Sequence, residues 1–66
     1  MEIYVNGEPR QVPEPCTVTQ LLETLGIKGQ RLALEINEQI VSKSQHDTHQ
    51  FNAGDKVEIV HAIGGG

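Results

Sequence analysis

The chain finishes on Gly64-Gly65-Gly66, and these residues offer chemistry through the backbone alone. A run without Cβ atoms is thin, adopts any backbone angle and can thread a narrow channel where a side chain would collide. The group such a tail delivers into a partner's active site is the α-carboxylate of Gly66, which is ionised at neutral pH. A carboxylate resists nucleophilic attack, so acyl chemistry there requires prior activation, for instance adenylation with ATP. The bland reading of the same residues is a floppy end, because chain termini are commonly disordered. Their position directly after a strand favours the chemical reading. They are no phosphate cradle, since no helix follows whose N-terminus could hold the anion.

Other reactive side chains are sparse. His46-Asp47-Thr48-His49, with His61 and Cys16, invites a comparison with metal sites. Structural zinc sites show a closed set of four ligands at paired spacings. One cysteine and two histidines in a polar stretch do not supply that set, so no metal is expected and residues 42–52 read as a solvated surface loop with room for one helical turn. Cys16 precedes a helix start, a place that lowers a thiol pKa, yet no histidine lies near it in sequence and it reads as passive. Glu35, Glu38, Asp55 and Glu58 read as a solvated surface or docking face, with Asp55 a turn residue after Gly54. No catalytic acid–base pair emerges.

The elements that must position the tail follow from apolar spacing. Met1, Ile3 and Val5 alternate with Glu2, Tyr4 and Asn6 as a first strand. Asn6-Gly7 is the pair best suited to the positive φ angles of a tight hairpin. A short return strand through Arg10, Gln11 and Val12 is bracketed by Pro9 and Pro13, which places it at a sheet edge. Thr17-Val18-Thr19-Gln20 fits a capping box, and Val18, Leu21, Leu22 and Leu25 make one apolar stripe closed by Gly26 and Ile27. Leu32, Leu34 and Ile36 form a third strand. Asn37-Glu38-Gln39 turns into a fourth at Ile40-Val41, and Lys56 to Ala62 is the last.

The order ββαβββ with one single-striped helix predicts an α+β, two-layer, ubiquitin-like β-grasp domain over residues 1–63. Residues 64–66 are then a flexible glycine tail. A mixed sheet of about five strands, with the first and last strands parallel at its centre, would bury Ile3, Val5, Val57 and Ile59 against Leu21, Leu22 and Leu25. Tyr4, Ala33 and Val60 take the opposite parity, and with Ile63 they make a candidate partner-docking strip on the outer face. Isolated exposed apolar residues are also ordinary, so the strip competes with a plain surface.

Composition narrows the function classes. Sixty-six residues allow one small domain, which buries roughly 60% of the surface its unfolded chain exposes. An enclosed pocket on the order of 300 Å³ or more is hard to wall with so thin a core, so an autonomous enzyme is disfavoured. Five basic residues are scattered against nine acidic ones, for a net charge of −4, and Tyr4 and Phe51 are the only aromatics. Nucleic acid is therefore an unsuitable partner. A single cysteine excludes an intramolecular disulfide framework. No secretory signal is visible, and no apolar run approaches the ~18 residues of a membrane span. A soluble protein of the cytoplasm is expected.

MEIYVNGE, LALEINEQIV and GDKVEIVHAIGGG, together with the length, resemble the ThiS family of sulfur carriers in thiamine biosynthesis. The resemblance implies that an E1-like adenylyltransferase (ThiF-type) uses ATP and Mg²⁺ to adenylate the Gly66 carboxylate. It further implies that a sulfur donor such as a cysteine desulfurase converts this to a thiocarboxylate, and that a thiazole synthase (ThiG-type) accepts the sulfur. No cofactor is bound by the carrier itself, which is a consumed and regenerated co-substrate rather than an enzyme. Three alternatives stand beside it: the sulfur carrier that forms the small subunit of molybdopterin synthase, a ubiquitin-like protein modifier, and an inert β-grasp interaction module. Members of the molybdopterin group tend to carry extra sequence after the first strand, whereas this chain enters the Asn6-Gly7 turn at once.

Overall fold

The computed structural model describes residues 1–27 and 32–61, with side chains described through Val60. Its elements run β1 (Glu2–Val5), β2 (Glu8–Gln11), α1 (Val18–Thr24), β3 (Leu32–Ile36), β4 (Gln39–Val41) and β5 (Lys56–His61), with a 3₁₀ turn at Lys43–Gln45. The strands form one mixed sheet in the order β2-β1-β5-β3-β4, so β5 is central and lies parallel to β1. That is the expected β-grasp arrangement.

Alternation fixes the two faces. Ile3 and Val5 are buried while Glu2 and Tyr4 are exposed, as a half-buried strand requires. Asn6 and Gly7 take φ of 51° and 86°, the double positive φ whose twist matches that of antiparallel strands. The β1–β2 register sets Tyr4 opposite Pro9. Pro9 therefore lies inside β2 rather than before it, which is tolerable because an edge strand leaves one row of backbone groups to solvent. Pairing continues one residue past β2, where Val12 donates to Met1 O at 2.9 Å and the Met1 ammonium donates to Val12 O at 2.8 Å.

Helix α1 starts and stops as its sequence dictates. Thr17 accepts from the Gln20 N–H at 3.2 Å, and the Gln20 side chain accepts from the Thr17 N–H at 2.8 Å. At the other end Gly26 has φ 77°, with Gly26 donating to Glu23 O and Ile27 to Leu22 O, the paired bonds of a Schellman motif. Val18 and Leu21 are buried, and Leu22, Leu25 and Ile27 pack half-buried against the core. Against them lie Ile3, Val5, Leu34, Ile36, Val57 and Ile59 from the sheet. Fully burying a side chain of this size stabilises by about 1.5–3 kcal/mol, so these contacts dominate the stability of so small a domain.

Residues 42–52 depart from expectation. The stretch does hold a helical turn, but His46 and Phe51 are buried at 8% and 4% exposure. The reason lies at the start of α1, whose first N–H groups have no partner within the helix. Val18 donates to His49 O and Thr19 to His46 O, both at 3.1 Å, and Phe51 donates to Cys16 O at 3.0 Å. The Thr19 hydroxyl also donates to the Asp47 carboxylate. The loop is therefore the outer half of the helix cap, folded in place by the backbone groups it satisfies.

Candidate functional site

Gly64, Gly65, Gly66 and Ile63 lie outside the described residues, as does the boundary between residues 63 and 64. The site is built from what leads to them. Strand β5 is paired with β3 along its length, from Ile36↔Val57 to Leu32↔His61. Its other flank meets β1 in only two pairs, Tyr4↔Lys56 and Val5↔Val57. Beyond them Asn6 takes over: its N–H donates to Val57 O at 2.8 Å, its Oδ1 accepts from the Ile59 N–H at 2.9 Å, and its Nδ2 donates to Ile59 O at 3.4 Å.

The start of β5 is held from the opposite side. Asn37 donates to Lys56 O at 2.8 Å and accepts from the Lys56 N–H at 3.0 Å. Its Nδ2 reaches the Asp55 carboxylate at 3.0 Å, whose other oxygen accepts from the Asn52 N–H at 2.8 Å. Asp55 is only 8% exposed. It is thus a buried structural hub, not part of a solvated acidic surface. Of the remaining carboxylates expected there, Glu38 and Glu58 are exposed and Glu35 is half-buried.

On the outer face the expected strip is split. Ala33 and Val60 are exposed and sit directly opposite each other, with Val60 at 58% exposure. Tyr4 is exposed too, but it pairs with Lys56, about 13 Å along β5 from Val60 at ~3.3 Å per residue. Between the two stands Glu58, opposite Glu35. Like charges so placed are mutually unfavourable. Ile40 completes this face opposite Glu35 and is 73% exposed. Its parity relative to the buried Val41 was the signal for it, masked by the shortness of β4. A surface groove of about 680 Å³ runs beside Tyr4, Gly7, Asn37, Glu38 and Lys56.

The other reactive side chains are turned to structure. Cys16 is 1% exposed, and burial pushes its thiol up, with a smaller opposing pull from the α-ammonium. Loss of water around the thiolate is the larger of these two influences. His46 Nε2 lies 3.3 Å from Val41 O and donates to it in the tautomer protonated there. Among the described residues no group of three or more His, Cys, Asp and Glu side chains gathers as a metal site, and no helix is long and apolar enough to cross a membrane.

Comparison with known proteins places this geometry. The ThiS family model matches residues 3–66. The chain is 36% identical over all 66 residues to the sulfur carrier protein ThiS of Escherichia coli, with each covered completely. It is 44% identical over the same 66 residues to a thiazole synthase of Paramagnetospirillum magneticum, yet it spans only 20% of that protein's length. The crystal structure of a thiamine biosynthesis protein (ThiS) from Geobacter metallireducens superposes with a TM-score of 0.86 at 32% identity, covering both chains fully.

Proposed function

The chain belongs to the ThiS family, a family of sulfur carriers in thiamine biosynthesis, and on that premise we propose that it carries sulfur as a thiocarboxylate at Gly66. The supporting observation is the end-to-end match to a free-standing sulfur carrier, combined with a glycine run that follows the central strand in sequence. The Gly66 carboxylate attacks the α-phosphorus of ATP on an E1-like adenylyltransferase with Mg²⁺, and pyrophosphate leaves. The terminal sulfur of a cysteine desulfurase persulfide then displaces AMP. Thiol reduction of the resulting acyl disulfide leaves the thiocarboxylate, whose sulfur attacks an acceptor carbon on a thiazole synthase; water then cleaves the acyl–sulfur bond, leaving the sulfur on the acceptor and returning the carboxylate. The carrier supplies no catalytic side chain and acts as a co-substrate, in a cytoplasmic setting.

Thiazole synthases that contain a segment like this chain, among them two at 44% and 36% identity, support a synthase of that type as the acceptor. Docking is assigned to the outer face around Ala33, Val60 and Ile40, with Tyr4 at its far end and Ile63 leading into Gly64 and Gly65. The intact mass of the untagged protein, after incubation with ATP, a sulfur donor and the activating enzyme, tests the reading. The expected gain equals exchange of one oxygen for sulfur, confined to the C-terminal peptide. An unchanged mass with an activating enzyme proven on another carrier rejects it. Val60→Asp should weaken binding to the activating enzyme at least about tenfold with an unchanged unfolding midpoint, since Val60 lies outside the core; unaltered affinity removes this face from the docking surface.

A further inference from the structure

We propose that Asn6 is a positioning residue for the carrier terminus, a side-chain extension of β1 that fixes the course of β5 as it leads towards the glycines. The inference rests on the carrier reading above and adds to it the device that aims the tail.

Strand β5 is the last strand before the tail, and its flank towards β1 has little backbone to pair with. The parallel ladder stops at Val5↔Val57, because the chain must turn at Asn6–Gly7 to enter β2. The Ile59 N–H and C=O both face that gap. A single side chain answers both: Asn6 Oδ1 accepts from the N–H at 2.9 Å and Nδ2 donates to the C=O at 3.4 Å. A primary amide presents one acceptor and two donors in a plane, so it imitates the peptide group that a longer β1 would have placed there. The contact spans 53 positions of sequence. Asparagine also tolerates the left-handed backbone that the turn demands, and Asn6 has φ 51°. Turn and clamp therefore meet in one residue type.

Its consequence falls on the terminus. Ile59 precedes Gly64 by five positions, 64 − 59. A central strand held on both flanks through Ile59 has a fixed course up to that residue. With one flank released, the end of β5 samples a wider range of directions. Activation of a carboxylate inside a partner's channel depends on placement, and a misplacement of about 1 Å can cost on the order of a hundredfold in rate. Docking through the outer face is a separate contribution, so the loss belongs in kcat rather than KM.

Asn6→Gly separates clamp from turn, because glycine takes the left-handed φ without strain. The full-length chain is assayed for ATP–pyrophosphate exchange with the activating enzyme at varied carrier concentration, beside amide hydrogen exchange of Ile59. The expected result is Ile59 exchange roughly tenfold faster, kcat lower by about tenfold or more, and KM near the wild-type value. Asn6→Asp, which keeps an acceptor for the Ile59 N–H, should recover part of both. Faster Ile59 exchange with wild-type kcat overturns the proposal by making the clamp purely structural, and unchanged exchange overturns the clamp itself. A fall in kcat that is matched by a rise in KM overturns it as well. A wild-type chain that supports no exchange with a proven enzyme removes the carrier reading and this inference together, whereas the preceding outcomes remove the inference alone.

Discussion

The turns Asn6–Gly7 and Asn37–Glu38 join antiparallel strands through an asparagine at nearly the same angle, φ 51° and 52°. In each, the asparagine N–H donates to a carbonyl of β5, Val57 in one case and Lys56 in the other, both at 2.8 Å. In each, the side-chain amide also accepts from a β5 N–H, at Ile59 and Lys56 respectively. The two asparagines therefore clamp the central strand from opposite flanks. The difference lies in what else each amide holds. Asn37 gives its Nδ2 to the buried Asp55 carboxylate, tying the strand's start to the 52–55 turn. Asn6 gives its Nδ2 back to Ile59, so it grips the strand alone and nearer the tail. One turn anchors the fold and the other directs a terminus, although the same residue type serves both.

On that division, the largest effect on stability belongs to the Asn37 side. Asp55→Ala removes the partner of the Asn52 N–H and Asn37 Nδ2, two part-buried bonds to a buried carboxylate. Bonds to a charged acceptor contribute about 1.5–3 kcal/mol each, and two part-buried ones are lost here, so a loss of about 3 kcal/mol is expected. Urea unfolding measures it through the midpoint. A loss below about 1 kcal/mol would mean that the Asn37 turn anchors nothing beyond its backbone bonds, and the contrast with Asn6 would vanish.

These two turns also show how far sequence carries. Asn6-Gly7 is legible as a hairpin because both residues favour positive φ. Asn37-Glu38-Gln39 is legible as a turn between two apolar runs, but glutamate gives no signal of the left-handed conformation found at Glu38, φ 70°. The faces of the sheet follow from period-two spacing, and α1 from its capping box and stripe. The resemblance over MEIYVNGE and GDKVEIVHAIGGG names the family. Residues 42–52 were hidden because His46 and Phe51 are single buried residues in polar company, without any period, and their burial serves orphan N–H groups on a distant helix. The Asn6 and Asp55 contacts were hidden for a related reason. A polar side chain that satisfies one backbone group far along the chain leaves no pattern in composition or spacing.

The smallest effects come from exchanging the second residues of the two turns. Gly7 has φ 86°, and a methyl group added there meets no atom within 4 Å. Gly7→Ala therefore tests backbone strain alone and should cost about 1 kcal/mol. Glu38 is the reciprocal case, since it already bears that strain at φ 70° with an exposed side chain. Glu38→Gly relieves it, at the expense of greater freedom in the unfolded chain. The two contributions oppose each other, and relief of the left-handed backbone is the larger, so a net gain of about 0.5 kcal/mol is expected. The same urea midpoints report both variants. A gain at Glu38 with a loss at Gly7 shows that the turns share one backbone requirement and differ only in how the sequence meets it. A loss at Glu38 would reverse that conclusion, because it would mean that the carboxylate side chain, on the groove beside Tyr4 and Lys56, holds the turn more strongly than its backbone strains it.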